Sequence, residues 1–258
     1  MMATVHLTLE GPIATILVDR PDKLNALTVE MLEQLDAHCG TLERSADVRV
    51  VLLKTAGERA FCVGADILAW SDLSPIAFWR EWIRLGHRIF ERLASLPQPV
   101  IAVLDGYTLG GGLELALAAD IRLAAENVQL ALPEVKLGII PGWAGTQRLP
   151  ALIGAARAKQ MIFSGERISA QKAETWGLVN EVLAPESLAK RAQELADAIA
   201  QNGPLAVQFA KQTIDAGLGQ NPAFSLEALA SGLAAFTEDA KEGQASFREK
   251  REAHFKGQ

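Results

Sequence analysis

The 258-residue chain contains only two cysteines, Cys39 and Cys62. They are too few and too isolated for a disulfide framework or a CxxC metal site, and a reducing, cytoplasmic setting is expected. Basic residues do not prevail: 25 Lys and Arg stand against 31 Asp and Glu, a net charge of -6. That balance argues against a surface built to hold nucleic acid or anionic lipid. The stretch from Leu93 to Leu104 is free of charge for only 12 residues and is broken by Pro97 and Pro99, too short to span a bilayer. The opening "MMATVHLTLEGPIATILVDRP" lacks a basic start followed by an apolar core and a cleavage site, so no secretory signal is expected. Neither an internal repeat nor a low-complexity tract is visible.

Several catalytic signatures are missing too. No G-x-S-x-G occurs, and His6, His38, His87 and His254 fall in no recognisable catalytic context, which disfavours a Ser-His-Asp hydrolase. Without HExxH or a close Cys/His cluster, a metal-dependent enzyme is disfavoured as well. What remains, 49% hydrophobic and 22% charged, is ordinary for a soluble globular chain that buries a sizeable core without staples.

Periodicity supplies the elements. "VHLTLEGPIATILVD" reads as a hairpin turning at Gly11-Pro12. From Thr28 to about Arg44, a helix places Met31, Leu35, Cys39 and Leu42 on one face. A buried strand follows at 49 to 54. Pro75 to Leu96 reads as one long helix whose aromatic-rich stretch, "FWREWIRLGHRIF", could line a pocket for a substrate tail, although its spacing favours a buried core face. "PVIAVLDG" at 99 to 106, "DIRLAAE" and "VQLAL" read as strands, with a helix from the glycines to about Ala119. Strands and helices alternate to about residue 183, an α/β pattern of repeated crossover units. From Pro185 onward helix follows helix, broken at Gly203-Pro204 and Asn221-Pro222. The expected division is a core over residues 1–200 and a helical region over 201–258.

"GYTLGGGLEL" at 106 to 115 sets Gly110, Gly111 and Gly112 before Glu114 in an apolar neighbourhood. Neither G-x-G-x-x-G nor the P-loop pattern is satisfied, and a tight strand-to-helix turn with close packing accounts for glycines taken alone. A second stretch, "LPEVKLGIIPG" at 132 to 142, adds Glu134, which singly could be paired with Lys136 or Arg148. A third, "RAFCVGADI" at 59 to 67, ends in Gly64 and Ala65. Backbone N–H groups of Ala65 and Gly111 could together form a two-donor oxyanion hole, one of them at a helix N-terminus.

With "FCVGADI", "GYTLGGGLELALAADIRLAAE", "LPEVKLGIIPGWAGTQRLP" and "GLVNEVL" in place, the chain resembles the enoyl-CoA hydratase/isomerase, or crotonase, family. The resemblance runs from "RPDKLNAL" to "FREKREAHFK". It implies an α/β fold, a crotonase-like spiral of ββα units with a C-terminal α-helical trimerisation region, trimers commonly pairing into hexamers. It also implies an acyl-CoA thioester as substrate, a place in fatty-acid metabolism, and no cofactor, coenzyme A being part of the substrate. No metal, nucleic-acid or membrane partner is expected.

By motif position the resemblance assigns catalysis to Glu114 and Glu134 and the oxyanion hole to Ala65 and Gly111. Glu114 would deprotonate a water attacking the β-carbon, and Glu134 would deliver a proton to the α-carbon. Coenzyme A and acyl contacts fall on Lys23, Leu24, Ala26, Asp66, Ile67, Leu68, Gly110, Pro133, Gly142 and Trp143. Phe247 and Lys250 match positions that reach the nucleotide from a neighbouring subunit. Two departures bear on substrate. Trp143-Ala144 replaces the usual small pair before "GTQR", the indole either narrowing the acyl pocket or packing outward on the fold. Leu68 stands where many hydratases have lysine. Double-bond isomerisation is the rival chemistry within the family; an RNA-binding or scaffolding role would need a basic surface stripe, which is not visible.

Overall fold

The computed structural model describes residues 4–258. β1 (Thr4–Glu10) and β2 (Ile13–Asp19) form the expected antiparallel hairpin, turning at Gly11 with φ +59°. α1 (Val29–Leu42) begins where Thr28 accepts a hydrogen bond from Met31 N at 3.3 Å, and its Met31, Leu35, Cys39 and Leu42 are all buried. β3 (Val50–Thr55) then runs parallel to β2.

From β3 onward the chain repeats one motif. β3 is followed by β4 (Ala60–Cys62) and a helical segment. β5 (Val100–Leu104) and β6 (Tyr107–Leu109) lead into α4 (Gly111–Leu117), and β7 (Ile121–Ala125) and β8 (Gln129–Ala131) into α5 (Gly145–Ile153). The first strand of each pair joins a sheet ordered β1-β2-β3-β5-β7-β10, and the second joins a sheet ordered β4-β6-β8-β9. Pairing is parallel between successive turns in both sheets, so each ββα turn stacks on the one before it. α6 (Ala155–Ser164), β9 (Ile168–Ser169), α7 (Ala170–Trp176) and β10 (Glu181–Leu183) close the spiral. β4, β6 and β9 are two or three residues long, too short to leave a period in the sequence, whereas β3 and β5 are almost wholly buried.

The helix expected over 75–96 is broken in phase. α2 (Pro75–Ala77) passes into a π-helical stretch, Phe78–Ile83, before α3 (Arg84–Ala94) resumes. A π turn inserts an extra residue and rotates the helix beyond it. Trp82 and Ile83 therefore reach a cavity while Ile89, Phe90 and Leu93 remain in the core.

α8 (Pro185–Ala200) buries Leu188, Ala192, Ala196 and Ala200 at four-residue spacing against the large sheet, and Arg49 donates to Ala200 O at 2.8 Å. α9 (Pro204–Gly217) crosses the boundary between two compact units, one ending at Val207 and the other spanning Gln208–Gln258. Within the second unit, α10 (Pro222–Ala235) has no buried residue, and α11 (Glu238–Glu249) follows it. Among the described residues no helix is long and apolar enough to cross a membrane.

Asn25 ties the loop after β2 to the start of β4. It is buried at φ +56°, its Nδ2 donates to Ala56 O and Ala60 O at 2.9 and 2.8 Å, and its Oδ1 accepts from Arg20 N at 2.9 Å. Asn25→Ala leaves these three backbone groups unpaired and is expected to lower unfolding free energy by about 2–4 kcal/mol in urea denaturation.

Candidate active site

Glu114 lies in the first turn of α4 and is 2% exposed. A carboxyl so placed must find donors or give up its charge. Its Oε1 accepts from Trp143 N at 2.7 Å and Gly145 N at 2.8 Å. The two amides converge because Ala144, between them, sits at φ +77°, a left-handed conformation that turns successive N–H groups toward one anion. Gly145 leaves room for the oxygen, since a Cβ there would stand 2.8 Å from Oε1. Burial pushes the Glu114 carboxyl up to about 7, opposed by these amides and by the Arg148 guanidinium.

Glu134 enters the same cavity from the 3-10 turn Glu134–Leu137 that follows β8. Its carboxyl lies over Gly110, where a Cβ would approach Oε1 to 3.1 Å. Oε2 is buried without a hydrogen-bond partner. Burial, and then the charge of Glu114, push Glu134 up to about 7. Neither of the two expected cations, Lys136 and Arg148, is its partner. Arg148 donates instead to Glu91 at 2.7 Å and to Phe90 O at 3.4 Å, and the Lys136 stem lies beside Gly165. Because Glu114 has amide donors and a cation while Glu134 has an orphaned oxygen, a proton shared between them belongs on Glu134.

The three consecutive glycines have three different neighbours. Gly110 makes room for the Glu134 carboxyl. Gly111 faces the Trp143 ring, whose Cζ3 would stand 2.7 Å from a Cβ, and Gly112 is pressed against the Cys62 carbonyl. Protein groups, and not a ligand, occupy the space over Gly111 and Gly112. The Gly111 amide nevertheless stays close to the 63–65 loop: Gly64 is at φ +99°, and a Cβ on it would lie 2.9 Å from Gly111 N. Neighbouring amides are engaged, Gly110 N with Ala131 O, Leu27 N with Gly64 O and Asp66 N with Leu27 O. Among the described residues the Ala65 and Gly111 N–H groups have no such backbone acceptor outside the helix and strand ladders, and both residues line the cavity.

Pro133, Gly142, Ile67 and Trp143 also line it. Trp143 is 3% exposed, with its ring centroid 5.3 Å from Trp82 and 5.1 Å from Phe90. It packs inward, which overturns the outward alternative. Asp66 lies outside the lining: its carboxylate pairs with Arg20 at 2.8 Å, which holds it below the usual range, and accepts from Leu68 N. The Leu68 side chain is 85% exposed. Lys23 is exposed, Leu24 is at φ +52°, and the Ala26 carbonyl is bound by Arg20. Phe247 and Lys250 lie in the second unit, both exposed. Trp70, Phe78, Trp82, Ile83, Ile139 and Ile140 line the cavity as well; of these, Phe78, Trp82 and Ile83 belong to the aromatic-rich stretch that could line a tail pocket, although its spacing favoured a core face. Among the described residues, no three His, Cys, Asp or Glu side chains form a metal-ligating group.

The raised carboxyls carry a stability consequence. Glu134 binds its proton more tightly folded than unfolded, so its favourable contribution is complete below pH 4.5 and is lost as pH rises through about 7. Glu134→Gln removes that loss. Denaturant titrations at pH 8 are expected to find the variant more stable than the parent by on the order of 2 kcal/mol, with the difference shrinking below pH 5.

The family model for enoyl-CoA hydratase/isomerase matches residues 8–258. The short-chain-enoyl-CoA hydratase of Clostridium acetobutylicum is 42% identical over 249 residues, covering 96% of this chain and 95% of that one. The crotonyl-CoA hydratase of Syntrophomonas wolfei is 38% identical, covering 95% of each. A crystal structure of enoyl-CoA hydratase from Bacillus anthracis superposes with a TM-score of 0.82 at 40% identity, over 98% of this chain and 99% of that one. Two-sheet spiral, a buried glutamate facing a half-buried one, and matches over nearly the whole chain agree, and the chain belongs to the enoyl-CoA hydratase/isomerase family.

Proposed function

We propose that this protein adds water across the 2,3-double bond of a 2-enoyl-CoA to give a 3-hydroxyacyl-CoA. The observation that carries this reading is the pair of glutamates in one cavity, one held by two amides of another segment and the other with an unpartnered oxygen, beside two amides that among the described residues have no backbone acceptor outside the helix and strand ladders. In the reading, Ala65 N–H and Gly111 N–H hold the thioester oxygen. As negative charge collects there in the enolate, each donor contributes roughly 3–4 kcal/mol to the transition state. Glu114, ionised, takes a proton from the water whose oxygen bonds to the β-carbon. Glu134, protonated, gives its proton to the α-carbon. The proton then passes from Glu114 to Glu134, restoring both groups, and the net change is the addition of one water.

Nothing in these steps calls for a cofactor beyond the coenzyme A carried by the substrate. Lys23, Leu24, Ala26, Asp66, Ile67 and Leu68 are proposed to flank that group on the strength of the family resemblance. The same reading assigns self-association, in trimers or paired trimers, to the second unit. Phe224, Leu226, Leu233 and Phe236 on or just beyond α10 are each at least 70% exposed, an apolar surface that another copy would cover.

The experiment is loss of the conjugated enoyl-thioester absorbance of crotonyl-CoA. Glu114→Gln and Glu134→Gln are each expected to lower kcat by about 10²- to 10⁴-fold, the scale of a positioned acid or base, while acyl-CoA binding persists. Full activity in either variant removes the role assigned to that residue; isomerised product from the parent enzyme would instead favour double-bond migration. Arg148→Met withdraws a positive charge that favours ionised Glu114. The acidic limb of its kcat profile is therefore expected at higher pH than in the parent, as read from initial rates between pH 5 and 9.

A further inference from the structure

The cavity that holds Glu114 and Glu134 shares a wall with a second cavity of about 860 Å³. Trp82 and Ile83 line both. Beyond them the second cavity has an apolar floor that includes Leu73 and Leu85 and a rim carrying the exposed Arg80, Arg84 and Arg88. The wall stands close to the chemistry. Ile83 Cδ1 would lie 2.6 Å from a Cβ on Gly142, the residue preceding the Trp143 amide bound to Glu114. Trp82 is buried against the Trp143 ring, and that ring covers Gly111. The π turn at 78–83 is what brings these two consecutive residues into a single partition.

We propose that Trp82 and Ile83 set the length of the acyl chain: a short 2-enoyl group ends against them, and a long one is excluded. The inference rests on the 2-enoyl-CoA reading of the site. A longer tail would have to displace side chains already fixed by Trp143 and Gly142, which a close-packed wall resists. Trimming the partition joins the cavities and gives the tail the Leu73 and Leu85 floor on which to bury its surface.

The test compares kcat/KM for crotonyl-CoA, 2-hexenoyl-CoA and 2-decenoyl-CoA in the parent, Ile83→Ala and Trp82→Phe. The ratio between chain lengths is the readout, so a general loss of activity in a variant does not mimic the effect. The parent is expected to lose at least about 10-fold between four and ten carbons. At least one variant is expected to raise the ten-to-four ratio by about 10-fold or more, the scale on which a hydrophobic pocket distinguishes methylenes. Trp82→Phe keeps an aromatic at the buried position and covers the case in which Ile83→Ala does not fold. Equal kcat/KM at both lengths in the parent, or an unchanged ratio in the folded variants, overturns the partition and leaves hydration standing. No hydration of any chain length by the parent overturns the hydration reading and the partition with it.

Discussion

The hold of two backbone amides on one buried carboxylate oxygen is the constraint around which the site is arranged. Glu114 sits in the first turn of α4, and its donors come from the segment leading into α5. That segment is fixed from a third direction, because Arg148 on α5 reaches Phe90 and Glu91 on α3. Two successive turns of the spiral therefore meet at one oxygen atom, and Arg148 ties the turn before them to the same segment. The two acids differ as a result: burial raises both, but at Glu114 two amides of another segment and the Arg148 guanidinium oppose it, whereas Glu134 has an unpartnered oxygen and the charge of Glu114 beside it, so a shared proton rests on Glu134.

Close approach between turns is what the small residues permit, and much of what holds the turns is polar. Cys62 donates to Asn25 O at 3.1 Å and accepts from Gly64 N at 3.3 Å, joining the loop after β2 to the loop that carries Ala65. Burial pushes its thiol up to about 12, so near neutral pH it remains a thiol and a structural link. Arg20 and Asp66 clamp the same two loops from the other side. The backbone facing the cavity is thereby positioned by side chains that do not enter it.

How much of this could be read from the residues depended on length and period. α1 and the long strands β3 and β5 were legible because a helical face or a buried run persists over several residues. β6 was not, because three residues between two glycines carry no pattern. Glu114 and Glu134 stood out as acids in apolar company beside glycine turns, although Glu134 taken singly could have been paired with Lys136 or Arg148, and the fold sends Arg148 to Glu91. Ala144 gave no sign of its left-handed conformation, since alanine is not a residue that announces one. Trp82 and Ile83 were legible as core or as pocket lining without a choice between them, because helical periodicity assumes an unbroken phase and the π turn breaks it. The pairing of the Asp66 carboxylate with Arg20 was not legible either, because the two residues lie 46 positions apart.

Trp143 sits where a side chain at position 86 would otherwise be: its indole fills the space in which a Cβ on Gly86 would fall. The two positions cannot vary independently. Any residue larger than glycine at 86 demands that the indole leave first, whereas a smaller residue at 143 is tolerated sterically with Gly86 unchanged. The pair thus imposes an order on change: glycine must stand at 86 before tryptophan can be placed at 143, and tryptophan must leave 143 before 86 can carry a side chain.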